Sequence, residues 1–164
     1  MSSSTPELTA AVLTVSDSSF RRERDDLGGP AVAEALVKKK FRVLVREIVP
    51  DEQNAIRAAL VRLSAQAQLV VTTGGTGIAP RDVTPEATRA VCDRLIEGVA
   101  ERMRSEGAKT TKFAALSRAV CGVRGESVIL NLPGKPSGAL ESLEAVVDLI
   151  PHILRLLSGD TAHA

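Results

Sequence analysis

Apolar residues recur along this chain with two periods, and the change from one to the other outlines its elements. Thr9–Ser16 (Thr-Ala-Ala-Val-Leu-Thr-Val-Ser) reads as a first strand, ending in Ser16-Asp17-Ser18. A polar loop rich in Arg and Asp follows. Gly29-Pro30 then opens a helix running to about Lys39, with proline suited to the first helical position. Phe41–Val49 predicts a second strand, stopped by Pro50. From Glu52 to Ala65 the residues Ile56, Leu60 and Leu63 fall at helical spacing. Leu69–Thr73 predicts a third strand that empties into Gly74-Gly75-Thr76-Gly77. Thr84 stands as the cap of a helix beginning at Pro85, and a further helical stretch, 97–106, ends at Gly107. Arg118–Val123 and Ser127–Leu132 read as strands separated by the turn Arg124-Gly125-Glu126. A last helix from about Ser137 carries Leu140, Leu143, Val147, Ile150, Leu154 and Leu157 at helical spacing, and Pro151 should kink it.

Alternating strands and helices predict an α/β protein, a three-layer α/β/α sandwich around a mostly parallel sheet. In such sheets ligands bind beyond the carboxyl ends of the strands. Four polar clusters fall there: Ser16-Asp17, Pro50-Asp51, the glycine loop, and Asn131-Leu132-Pro133-Gly134. No internal repeat or low-complexity block interrupts the pattern. One domain over residues 9–159 is expected, between a flexible N-terminal segment 1–8 and a C-terminal tail 160–164.

Composition narrows the chemistry. The formal net charge of +1 builds no field for nucleic acid or an anionic membrane, and the absence of Trp and Tyr removes the stacking platforms of single-strand binders. No stretch is apolar for long enough to span a membrane, and the start of the sequence lacks the basic and apolar regions of a signal peptide. Cys92 and Cys121 form no Cys-x-x-Cys pair and read as buried, reduced thiols of a cytoplasmic protein. Two histidines, His152 and His163, cannot furnish a His metal site or a Ser-His-Asp triad. The chemistry is left to carboxylates, hydroxyls, backbone amides and lysine.

The glycine loop supplies amides that can approach anionic oxygens, because no Cβ stands in the way. Asp82 lies just beyond it. A carboxylate there repels phosphate unless a divalent cation intervenes, and Mg²⁺ prefers oxygen ligands. The plainer alternatives are an ion pair with Arg81 or a cap on amides of the turn. Asp51, between Pro50 and a helix, is equally well placed as that helix's N-cap. Ser117 reads locally as a surface hydroxyl, and Ser137 as a helix cap. Lys135, at a helix N-terminus, adds positive potential for phosphate. The charged loop with Arg21, Arg22, Arg24, Asp25 and Asp26 reads as solvated, with a lid over a nucleotide as the other use.

Taken together, Thr72-Thr73-Gly74-Gly75-Thr76-Gly77, Arg81-Asp82-Val83-Thr84-Pro85, Pro50-Asp51-Glu52, Leu116-Ser117-Arg118 and Leu132-Pro133-Gly134 resemble the signature of the molybdopterin adenylyltransferases. The resemblance extends from Val15-Ser16-Asp17 to the last helix. It implies transfer of AMP from ATP to the terminal phosphate of molybdopterin, giving adenylyl-molybdopterin and pyrophosphate in molybdenum-cofactor synthesis. On that resemblance Asp51 and Asp82 are the catalytic and Mg²⁺-positioning residues. Gly74, Gly75, Thr76, Gly77, Asn131, Pro133 and Gly134 hold nucleotide and phosphate. Ser16, Asp17, Ser117, Lys135 and Ser137 meet the substrate. A homotrimer and handover of product to a separate molybdenum insertase are implied too. The last helix's apolar stripe then serves either as a subunit contact or as packing against the sheet. A non-catalytic molybdopterin-binding protein and a nucleotide pyrophosphatase on the same fold are the alternatives.

Overall fold

A computed structural model describes residues 7–161. The loose ends expected at 1–8 and 160–164 lie outside it except for their inner residues, and Leu8 already belongs to the first strand. Six strands form one sheet: β1 (Leu8–Val15), β2 (Phe41–Val49), β3 (Leu69–Thr73), β4 (Arg94–Leu95), β5 (Cys121–Arg124) and β6 (Ser127–Leu132). Their order is β2-β1-β3-β6-β5-β4. The first four are parallel, and β5 alone is reversed, pairing antiparallel with both β6 and β4.

Side-chain alternation along the strands sorts the core into two layers. One face of β1, β3 and β6, with Val12, Val71 and Leu130, packs on α2 (Gly28–Lys38), α5 (Glu97–Ala108), α6 (Pro136–Val146) and α7 (Ile150–Leu157). The other face, with Leu13, Val70 and Ile129, packs on α3 (Gln53–Ser64) and α4 (Thr84–Val91). The three-layer α/β/α sandwich with a mostly parallel sheet is the observed architecture. Among the described residues no helix is long and apolar enough to cross a membrane.

Local differences from the sequence expectation have local causes. Asp17–Phe20 is not loop but a single helical turn, α1, whose N-cap Ser16 accepts a hydrogen bond from the Ser19 amide. Edge strand β4 is two residues long, too short to show a period. The stretch Arg118–Val120 is not strand, and a 3₁₀ segment, Lys112–Leu116, precedes it. The last helix breaks into α6 and α7 at a 3₁₀ turn, Val147–Leu149, just before Pro151. Its apolar stripe is consumed within the chain, since Leu143, Val147, Ile150 and Leu154 lie in the core. Packing against the sheet therefore uses most of the stripe that could have served a subunit contact.

Neither thiol is in a disulfide; Cys121 is buried in the core as expected, whereas Cys92 is only partly buried against it. Burial pushes Cys92 up to about 11 and Cys121 up to about 12, so neither is a ready nucleophile.

Candidate functional site

The parallel strands deliver their C-terminal loops to one rim. There Thr73 Oγ1 donates to the Pro133 carbonyl at 2.7 Å, and the Gly74 amide donates to the Leu132 carbonyl at 3.1 Å. These bonds hold the turns after β3 and β6 side by side. Two cavities open on either side of that seam, about 480 and 400 Å³ in volume. Both are lined by Gly75, Asp82, Gly134 and Lys135. The larger one has Met103, Phe113, Ala114 and Leu116 as an apolar wall, with Ser117 and Arg104 at its polar end. The smaller one is polar and is built from Thr14, Ser16, Asp26 and Asp51.

The glycine loop has an unusual hydrogen-bond pattern. Each carbonyl from residue 74 to 77 is bound: Gly74 by Thr84 Oγ1 (3.0 Å), Gly75 by the Thr84 amide (3.1 Å), Thr76 by the Arg118 amide (2.8 Å), and Gly77 by Arg118 Nε (2.7 Å). The amides of Gly75, Thr76 and Gly77 have no hydrogen-bond partner among the described residues. A loop with its negative ends paired and its N–H groups free is a receptor for anionic oxygens.

Glycine is required in this loop for an internal reason as well. Gly74 and Gly75 have φ of 103° and 69°, and a Cβ on Gly75 would overlap the Thr84 hydroxyl and crowd Asp51 Oδ1. A valine there would distort the loop itself as well as block a ligand. Thr84, expected as a helix cap, is instead the first residue of α4; its cap position belongs to Val83. The threonine hydroxyl is spent on the glycine loop.

The two expected catalytic carboxylates both line the polar cavity. Asp51 is not the cap of α3. That position is taken by Glu52, which makes no side-chain cap bond. Asp51 and Asp17 instead clasp each other: the Asp17 amide donates to Asp51 Oδ2 at 2.9 Å, and the Asp51 amide donates to Asp17 Oδ1 at 3.0 Å. Burial raises the Asp51 carboxyl above the ordinary carboxylate range. The charges of Asp17 and Asp82 push the same way, against the Asp17 amide. Asp82 does not pair with Arg81. It closes its own turn, with Oδ2 accepting from the Ala79 amide (3.0 Å) and its own amide donating to Ala79 O (2.9 Å). Arg81 reaches Asp17 with two hydrogen bonds of 2.9 and 3.0 Å, and that fork lowers the Asp17 carboxyl.

These donors suit Mg²⁺. Asp51 is a half-buried carboxylate with two acidic neighbours, a setting that a divalent cation would relieve. Among the described residues no group of three or more His, Cys, Asp or Glu side chains is arranged as a metal site. Asp51 and Asp82, which line the polar cavity, are the carboxylates that would hold such an ion.

The remaining expected residues divide clearly. Ser16, Ser117, Pro133, Gly134 and Lys135 line one or both cavities. Lys135 is exposed and makes no ion pair among the described residues. Asp17 has its carboxylate occupied by Arg81 and by the Asp51 amide. Asn131 is fully buried; its side chain donates to Thr72 and Thr88 and accepts from the Val120 amide. Ser137 is exposed in the first turn of α6, whose cap position is Lys135, and it lines neither cavity. In the charged loop, Asp26 ties Thr14 to the Gly29 amide, and Arg24 lines the polar cavity. Sequence reasoning missed Arg81 and Arg118 as organisers of the site. Both stood inside the quoted motifs beside residues that drew the attention, Asp82 and Ser117.

The chain matches the family model described as "Probable molybdopterin binding domain" over residues 11–152. It is 43% identical over 153 residues to the molybdopterin adenylyltransferase of Helicobacter pylori, covering 91% of this chain and 87% of that protein. Among solved structures it resembles the molybdopterin biosynthesis enzyme MoaB of Thermus thermophilus, with 50% identity, a TM-score of 0.87, and coverage of 93% and 97% of the two chains. The molybdopterin biosynthesis Mog protein of Mycobacterium ulcerans superposes with a TM-score of 0.86 at 37% identity, covering 94% of this chain and 99% of that one.

Proposed function

Since this chain belongs to the molybdopterin-binding domain family, we propose that it is a molybdopterin adenylyltransferase, joining AMP from ATP to the terminal phosphate of molybdopterin and releasing pyrophosphate. The observation that carries this reading is the loop with four paired carbonyls and three free amides, set where two cavities of different chemistry meet. One substrate fits each cavity. The apolar wall beside Ser117 suits the flat pterin, and the polar cavity suits the nucleotide. Their phosphates then converge on the shared residues Gly75, Asp82, Gly134 and Lys135.

The reaction asks little of a general base. A phosphate monoester is largely ionised near neutral pH, with a second pKa of about 6. Its oxygen attacks the α-phosphorus of ATP, the new P–O bond forms, and the bond to pyrophosphate breaks with the electron pair leaving on pyrophosphate. What the protein must supply is alignment and neutralisation of charge. The amides of Gly75, Thr76 and Gly77 and the Lys135 ammonium provide the positive potential, reinforced by the N-terminus of α6. Asp51 and Asp82 would hold Mg²⁺, which offsets the charge of the phosphates when bound. Asp17 and Arg81 fix the peptide of Asp51 in place.

We further take the assembly to be a cytoplasmic homotrimer that hands its product to a separate molybdenum insertase. Most of the last helix's stripe is internal, so the subunit contact would use other surface. Sedimentation equilibrium at micromolar concentration tests the trimer, and a monomer there contradicts it. Incubation with ATP and Mg²⁺, with and without molybdopterin, tests the activity. The reading predicts pyrophosphate release only when both substrates are present. Release without the pterin would indicate a pyrophosphatase. Pterin binding without turnover would indicate a non-catalytic binding protein.

A further inference from the structure

We propose that Arg118 is a positioning residue of this site, holding the second half of the glycine loop and the Asp82 peptide so that amides face the phosphates and carbonyls do not. The proposal rests on the reading that the loop receives phosphate. Its own basis is the contact set of this one side chain. Arg118 Nε donates to the Gly77 carbonyl at 2.7 Å, and Nη2 donates to the Asp82 carbonyl at 2.7 Å. Nη1 donates to both carboxylate oxygens of Glu86, at 3.0 and 2.8 Å, and the Arg118 amide reaches the Thr76 carbonyl at 2.8 Å.

The guanidinium therefore binds the peptide before Ile78, the peptide after Asp82 and a carboxylate on α4 at once. No other natural side chain has this fork, since a lysine ammonium is a point donor and cannot span the three acceptors with fixed geometry. Two consequences follow from the chemistry of a peptide. Because the C=O and N–H of a trans peptide point opposite ways, binding the Gly77 carbonyl turns the Ile78 amide at the end of the loop away from the guanidinium, and binding the Asp82 carbonyl does the same for the Val83 amide. A cation against the carbonyl oxygens also offsets negative ends that would oppose an approaching phosphate. Thr84 performs the first of these tasks for Gly74 and Gly75. Arg118 performs both for Gly77 and Asp82, the part of the loop nearest the second catalytic carboxylate. With side-chain exposures of 38% and 40%, Arg118 and Glu86 are not core residues whose removal would collapse the fold.

Calorimetric binding of inorganic pyrophosphate with Mg²⁺ to the full chain provides the test, alongside turnover. Arg118→Gln is expected to weaken pyrophosphate about tenfold or more, because a charge-assisted set of bonds is lost. It should reduce kcat and raise the KM for molybdopterin as well, because Thr76 and Gly77 line the larger cavity and Asp82 lines both. Arg118→Lys should recover only part of the affinity, and Glu86→Gln should show a smaller loss in the same direction. A purely structural Arg118 would lower the melting temperature while the folded variant bound pyrophosphate as the wild type does, and that result overturns the proposal. If Arg118→Gln fails to fold, unchanged affinity and kcat in Glu86→Gln overturn it instead. A wild-type protein that binds neither pyrophosphate nor ATP would remove the phosphate-loop reading itself, and the proposal with it.

Discussion

The loops after β2 and β3 each bring one carboxylate to the polar cavity, and they hold it by opposite means. Asp51 is fixed from outside its own segment, by the peptide of Asp17, the first residue of α1, which is in turn gripped by Arg81 from the loop after β3. Asp82 is fixed by its own turn through Ala79, with Arg118 steadying the peptide behind it. One position depends on three segments meeting; the other is built over four consecutive residues. Such a difference makes two aspartates proposed for one role unlike in how they fail.

The largest effect expected of any conservative change is on turnover. Asp51→Asn and Asp82→Asn each preserve an acceptor for the amide that holds the side chain but remove the charge. Losing one such metal or transition-state contact costs on the order of 10²-fold or more in rate. Steady-state adenylyltransfer at saturating Mg²⁺ checks this, and near wild-type rates in both variants would show that neither carboxylate takes part.

The pH dependence of stability then tests the burial of Asp51. Because burial raises the Asp51 carboxyl in the folded protein, the folded state favours its protonated form. That contribution is complete below the ordinary value of 3.8 and is lost as pH rises through the raised one. Asp51→Asn should therefore melt higher than wild type at pH 7, with the gain vanishing near pH 3. Equal melting temperatures at both pH values would mean that Asp51 carries no burial penalty.

Arg81→Gln attacks the outer grip alone. Arg81 is exposed, with side-chain exposures of 60% for it and 21% for Asp17, so stability should change little. Turnover should fall about tenfold, because Asp17 no longer holds the Asp51 peptide in one place. A variant with full activity would show that the clasp between Asp17 and Asp51 needs no support. Ser137→Ala should have the smallest effect, leaving melting temperature and turnover within error, since that hydroxyl neither caps α6 nor lines a cavity.

The same contrast governs what could be read from the chain. Elements with enough residues to display a period, such as β2 with its single buried face or α3 with Ile56, Leu60 and Leu63, were legible and fell within one or two residues of expectation. The four-residue α1 and two-residue β4 were not, because neither repeats a period. In the site, the turn from Ala79 to Asp82 is local and its amide-capping alternative was visible. Asp51 misled because Pro-Asp-Glu ahead of a helix has the form of a cap, and only the tertiary approach of Asp17 diverts it. Asn131 was legible as a rim residue and does line the larger cavity, but the hold of Thr72, Thr88 and the Val120 amide on its side chain is tertiary and was not.

The central claim is that the glycine loop and the two aspartates together receive the phosphates of ATP. A crystal structure of the protein with Mg²⁺ and an α,β-methylene analogue of ATP, which cannot be cleaved at that bond, addresses it most directly. The account predicts phosphate oxygens within hydrogen-bonding distance of the Gly75, Thr76 and Gly77 amides, with the ion between phosphate and the Asp51 and Asp82 carboxylates. Phosphates seated away from that loop, or an ion that touches neither aspartate, would contradict it.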